Sequence, residues 1–355
     1  MGLKPLAGAA LIAALGLAAQ ADPLRIATYS PDLSRDGPGL LLRDLTRSGK
    51  AADPQIAAVV QVLRETRPDI LLLTDFDWDY DGRALSAFAA RLKEAGLDYP
   101  HRFAARPNAG METGLDLNGN GRPGEAADAQ GYGEFTGQGG MAILSRYPIG
   151  PVADYSDRLW RDLPGQIMPP LPPDVADRLR LSSSAHWDAT ITVAGRPLRL
   201  LAMAATPPVF DGPEDMNGRR NHDELAFWLG HLPDQPFVLA GNLNIDPADG
   251  DGRPEALARI MAHVTDPRPR SAGGAAARGG VNDRQKGDPA LDTGDWPDDK
   301  PPGNLRADYV LPQKGLKVLG AGVFWPAGGE LAKAALAASA HRLVWVDLDW
   351  PAGQP

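Results

Sequence analysis

The 355-residue sequence contains no cysteine. Disulfide staples, thiol nucleophiles and thiolate metal ligands are therefore excluded. A chain of this length buries enough apolar surface to fold without cross-links. Histidine occurs only six times, so few imidazoles are available as bases. Positive charge is in deficit as well: 36 Lys and Arg stand against 45 Asp and Glu, a formal net charge of −9. That balance excludes a broadly basic surface for nucleic acid and leaves only a small basic cleft open. Long apolar runs are confined to the N-terminus. Beyond it, no segment reaches the roughly 20 residues of a membrane-spanning helix.

The N-terminal run reads as an export signal. Lys4 supplies a positive start, Leu6 to Ala19 is apolar, and Ala19-Gln20-Ala21 gives a small-x-small cleavage pattern. The expectation is a signal peptide over 1–21 and a periplasmic or secreted mature chain, with no transmembrane segment after signal removal. An uncleaved anchor is the alternative. Gly and Pro are abundant, at 40 and 34, which predicts long structured loops between the regular elements.

Periodicity supplies the elements. Pro23 to Tyr29 alternates apolar and polar residues and predicts a strand. Asp53 to Arg67 carries Ile56, Val59, Val60 and Leu63 at helical spacing, with Asp53 as N-cap and Pro54 at the first helical position. Ile70 to Leu73 is a buried-type strand, and Gly82 to Ala95 a second helix. Further strands are expected over 140–144, 185–193, 198–202, 237–240, 307–311, 316–324 and 342–348, and one helix over 221–229. Residues 104–139 and 265–304 read as loops. Neither an internal repeat nor a linker between halves is visible, so 22–355 is expected to form a single domain. The strand-helix-strand-helix opening predicts an α/β fold with a covered sheet.

Six segments, in order along the chain, carry a resemblance. They are Leu24 to Ser30, Pro68 to Asp75, Gly140 to Ile149, Leu239 to Asn244, Arg306 to Pro312 and Ser339 to Trp345. Together they resemble the endonuclease/exonuclease/phosphatase superfamily, the deoxyribonuclease I-like proteins. The stretches Thr206 to Asp215 and Asn217 to Glu224 are similar to its exported bacterial type. The resemblance implies two packed β-sheets flanked by helices, a four-layer α/β sandwich with the site at one rim. It also implies phosphoester hydrolysis assisted by a divalent metal, Mg or Mn, in a cleft. Substrates of such proteins are nucleic acids, phospholipids or small phosphate esters, and the acidic balance makes nucleic acid the least attractive here.

Against that pattern the sequence departs at five positions. Ser30 stands where the family has a metal-binding asparagine, and Asp75 where it has a glutamate. The shorter side chain of Asp75 draws the carboxylate back by about 1.5 Å. Ala204 replaces a histidine, and Asn242 and Ala340 replace aspartates. An amide at 242 neither accepts a proton nor adds negative charge to a metal. With Ala340 taken as the lost carboxylate that orients a histidine, the expected cost is about 10⁴-fold, by analogy with serine proteases. The leading expectation is a pseudoenzyme with impaired or lost activity that keeps a binding or scaffold role. The alternative is an active phosphoesterase with a rearranged site built from Asp75, Asp77, Asp308 and His341.

Each remaining candidate has a functional and a structural reading. His341 is a general base or a polar residue lining a vacant cleft. Asn244 contacts phosphate oxygens or completes a tight turn. Asp308 is catalytic or, more in keeping with its Arg-x-Asp-Tyr setting, pairs with a neighbouring cation. His186 faces the cleft or packs in the core. Arg219 and Arg220 hold an anion at a helix start or are simply solvated there. Asp116, Asn118 and Asn120, followed by Gly121, match the first half of a calcium loop, although Ala127 occupies the position of its closing carboxylate. Calcium in the 116–128 loop would make the chain a calcium-stabilised extracellular interaction protein; asparagine and glycine turns are the other reading.

Overall fold

The computed structural model describes residues 23–350. The export signal expected over residues 1–21 lies outside the described residues. Along the chain the strands are β1 (Leu24–Tyr29), β2 (Ile70–Phe76), β3 (His101–Phe103), β4 (Gly140–Ser145), β5 (Ile149–Asp154), β6 (His186–Val193), β7 (Arg196–Ala204), β8 (Phe237–Asn242), β9 (Asp308–Pro312), β10 (Val318–Val323) and β11 (Val344–Leu348). The helices are α1 (Leu40–Thr46), α2 (Pro54–Thr66), α3 (Arg83–Glu94), α4 (Pro173–Ala176), α5 (Met216–Phe227), α6 (Glu255–Ile260), α7 (Ala272–Ala276) and α8 (Gly329–Ala338). Among the described residues no helix is long and apolar enough to cross a membrane.

The strands form two mixed sheets, ordered β10-β11-β1-β2-β4-β3 and β5-β6-β7-β8-β9. Each contains one parallel pair, β1 with β2 and β7 with β8. Alternation along β1 explains the layering. Leu24 and Ile26 face the second sheet, while Ala27 and Tyr29 face the helices. β2 is apolar on both faces because both are covered. The inner core holds Ile26, Leu72 and Ile143 against Trp187, Leu200, Val238 and Val310. One outer core joins the first sheet to α1, α2 and α3, and another joins the second sheet to α5 and α6. The result is the expected four-layer sandwich.

The helix expected over 53–67 forms as α2. The Asp53 side chain accepts from the backbone N–H of Gln55 at 2.8 Å and of Ile56 at 3.1 Å. Helix α5 begins at Met216, five residues before the expected start, because its polar residues are buried. Short β3, α1 and α8 carry too few buried side chains to show a period. Alanine-rich α8 packs against α2, burying Ala334, Ala335 and Ala338.

Candidate active site

The rim of the sandwich collects the ends of β1, β2, β8 and β9 and the segment preceding β11. Asn242 and Asp308 are paired residues of β8 and β9. They keep the parity of Ala240 and Val310, so their side chains continue the inner face to its edge. Gly241 makes this possible. Its φ is +145°, and a Cβ there would lie 1.8 Å from the Met203 carbonyl oxygen of the neighbouring strand.

His341 and Asp308 form the centre. The imidazole Nδ1 lies 2.7 Å from Asp308 Oδ2. Thr293 Oγ1 donates to the same oxygen at 2.9 Å and accepts from the Ala307 and Asp308 N–H groups. Asn242 Nδ2 donates to Asp308 Oδ1 at 3.1 Å and stands 3.3 Å from His341 Nδ1. Asp308 is fully buried, so its charge acts on the imidazole in a low-dielectric setting. Burial alone would lower the His341 pKa. The charge and hydrogen bond of Asp308, with Asp32 and Asp75 beyond it, outweigh burial and raise it. Trp296 stands edge-on to the imidazole, ring centres 5.2 Å apart.

This arrangement corrects the reading of Ala340. The carboxylate that orients His341 comes from Asp308, not from position 340, and it is present. The partner of Asp308 is the site histidine rather than a Lys or Arg. Ala340 instead donates its backbone N–H to Asp32 Oδ2 at 3.0 Å. Asp32 escaped the sequence reading because it sits in the loop after β1. The Ser30-Pro31-Asp32 spacing, which returns an acid to the rim three residues past the end of β1, was the available signal. Thr293 and Trp296 gave none, since both lie in a polar loop.

Asp75, next to last in β2, has φ +51° and lies within an irregularity in the pairing with β4. Burial pushes its carboxyl up to about 7, Asp32 adding to the effect and His341 opposing it. Asp77 does not share its role. Asp77 accepts the N–H of Arg35 at 2.9 Å and of Gly139 at 3.1 Å, and so latches two loops. Ser30 is buried, and its carbonyl accepts from Ser339 Oγ. Asn244, at φ +49°, spends its amide N–H on the Ala205 carbonyl at 2.7 Å, a turn-forming bond. Ala204 lies beside Asn242 in the sheet and leaves that flank without a side-chain donor.

Three other candidates lie outside the cleft. His186 is buried in an aromatic cluster with Phe227 and Trp228, its Nε2 2.9 Å from the Glu224 carbonyl. Arg220 is buried in α5 and donates through Nε and Nη2 to the carbonyls of Leu181, Gln130, Arg180 and Ser182, so its guanidinium fastens loops inside the protein. Arg219 donates to the carbonyls of Glu214 and Ile167. In the 116–128 loop, Asp116 accepts the N–H groups of Asn120 and Gly121, and Asn118 that of Asn120. Asn120 donates to Glu125. Among the described residues no group of three or more His, Cys, Asp or Glu is placed to hold a metal ion.

Two mixed sheets, helices on both outer faces and a histidine–aspartate pair at the rim define the class. The chain belongs to the Endonuclease/Exonuclease/phosphatase family, which its sequence matches over residues 40–341. Its fold is similar to that of an endonuclease/exonuclease/phosphatase from Beutenbergia cavernae DSM 12333. That likeness has a TM-score of 0.56 at 19% identity, covering 92% of this chain and 71% of the other. An endonuclease/exonuclease/phosphatase family protein from Leptotrichia buccalis C-1013-b is similar at a TM-score of 0.53 and 14% identity, over 92% of this chain and all of the other. No curated protein matches the sequence.

Proposed function

We propose that the protein is a slow phosphoesterase that binds the phosphate of a small ester or phospholipid headgroup beside His341. The observation that carries this reading is the 2.7 Å pairing of His341 with buried Asp308. With Nδ1 held by Asp308, Nε2 is the imidazole edge left for substrate. The raised pKa favours a proton there, which can be donated to a phosphoryl oxygen as charge develops.

The residues fit a loosely held divalent cation of the magnesium type. Such a cation needs only one or two carboxylates and takes its other ligands from waters and substrate phosphate. Asp32 and Asp75 offer the carboxylates, and buried Asn242 Oδ1 has no hydrogen-bond partner. When bound, the cation would neutralise phosphate charge. Asn242 cannot accept a proton, and Ala340 adds neither ligand nor base, so turnover is slow. The net charge of −9 favours small esters or phospholipid over nucleic acid. The leader read in residues 1–21 places this activity outside the cytoplasm in the same proposal.

The test is hydrolysis of bis(4-nitrophenyl) phosphate, 4-nitrophenyl phosphate and DNA with magnesium or manganese. The reading expects slow turnover of a small ester by the natural protein, lost in His341→Ala and raised in the triple variant Ala204→His, Asn242→Asp, Ala340→Asp. A silent natural protein beside an active triple variant would leave only a binding role. Silence of both would remove the phosphoesterase reading altogether.

A further inference from the structure

On the far side of β9 from the cleft lies a cavity of about 960 Å³. β9 separates the two by alternation: Asp308 faces the rim, whereas Tyr309 lines the cavity. Leu257, Met261, Val264 and Leu291 join Tyr309 in giving it apolar walls. Its size falls in the range of small-molecule sites, which pair apolar walls with a few placed polar groups.

One group in that lining stands apart. Asp292 is 95% buried, at 5% relative exposure, and its Oδ2 has no hydrogen-bond partner. The other acids nearby are already satisfied. Asp246 accepts the N–H groups of Ala248, Asp249 and Arg306. Asp249 accepts those of Lys286 and Gly287, and Asp288 pairs with Arg270. The Arg306 guanidinium lines the cavity too, but it is held by both oxygens of Asp266 at 2.7 and 2.8 Å. Arg268 and Lys286 line the cavity as well, but among the described residues no Lys or Arg forms an ion pair with Asp292. Burial, reinforced by Asp246, Asp249 and Asp288, pushes its carboxyl up to about 7.

A buried carboxylate oxygen without a donor is costly, and a ligand that brings a charged N–H recovers that cost. A metal ion is the weaker match, because the neighbouring carboxylates of Asp246, Asp249 and Asp288 are already engaged by N–H groups and Arg270. We infer that this cavity is a second binding site, which takes an organic ammonium ion on an apolar body and anchors its nitrogen on Asp292. The apolar walls then cover the hydrocarbon part.

The experiment is calorimetric titration of the protein with phenethylammonium chloride at pH 8, where the Asp292 carboxyl is ionised. 2-Phenylethanol and calcium chloride serve as comparators. The inference expects saturable binding of the ammonium alone. Affinity should fall about tenfold or more in Asp292→Asn, the scale of one lost charge-assisted hydrogen bond. Met261→Trp, which fills a half-buried part of the wall without touching Asp292, should abolish binding. Equal binding of the alcohol, binding of calcium in place of the ammonium, no binding at all, or full affinity in both variants would each overturn the inference.

Discussion

At the scale of single residues, the site turns on which carboxylate holds His341. The sequence shows a missing acid directly before the histidine, at Ala340, and adjacency in the chain makes that loss look decisive. The acid that acts is Asp308, which is 33 residues away in sequence and 2.7 Å away in space. Pairing of β8 with β9 brings it there, a long-range register that no local pattern displays. Replacing Asp308 with Asn keeps the Thr293 contact and removes the charge, so the His341 pKa should fall. An NMR titration of the imidazole checks this, and an unchanged pKa would mean that Asp308 does not control the ring.

His186 makes the opposite case. Burial drives its imidazole from the ordinary 6.5 down to about 4, so the folded protein holds it neutral. As pH falls, the unfolded chain takes up the proton first. The contribution of this group to stability is therefore complete above about 6.5 and is lost toward pH 4, by roughly 3 kcal/mol. Denaturant midpoints followed across that range should show the natural protein losing its margin over His186→Phe. Parallel curves for the two proteins would contradict a buried neutral His186.

Among the elements, α5 does the work its composition conceals. Four of its polar side chains, Arg220, Asn221, Asp223 and Glu224, are buried and fasten loops. Asn221 donates to the carbonyls of Thr206 and Leu243. Asp223 accepts from Trp160 Nε1 and the Ile167 N–H, and Glu224 from the N–H groups of Ser183 and Thr206. A helix whose buried face is polar shows no apolar stripe, so the sequence predicts its start only at 221 and leaves its arginines open to an anion or to solvent. Arg220→Met would strand the carbonyls of Leu181, Gln130 and Arg180, while that of Ser182 keeps Asn108 Nδ2, and should cost about 3 kcal/mol or more, read as a fall in the unfolding midpoint. A shift within experimental error would show that water replaces the guanidinium. The strands β1, β2, β6 and β8 were legible for the converse reason, since their apolar residues follow strand periods or unbroken buried runs.

At the scale of the whole molecule, the first and last strands of the described residues are neighbours in one sheet. β11, the last strand, lies between β10 and β1, the first. Ending the chain at Ala340 would remove the dyad histidine and open that sheet along a central ladder. Such a truncation should not fold, as judged by circular dichroism and a lost unfolding transition; a cooperatively folding product would show that β11 is dispensable. The sandwich itself was legible because six segments in order fix its strands. What no segment displays is how the rim brings separate loops together. Asp32, Thr293 and Trp296 reach the site only through tertiary packing.

The most direct test of the retained dyad is one comparison of kcat/KM for bis(4-nitrophenyl) phosphate in manganese, natural protein against Asp308→Asn. An orienting carboxylate beside a substrate-facing histidine predicts a loss of about 10²-fold or more, within the range of acid–base contributions. An Asp308→Asn protein as active as the natural one would contradict the account.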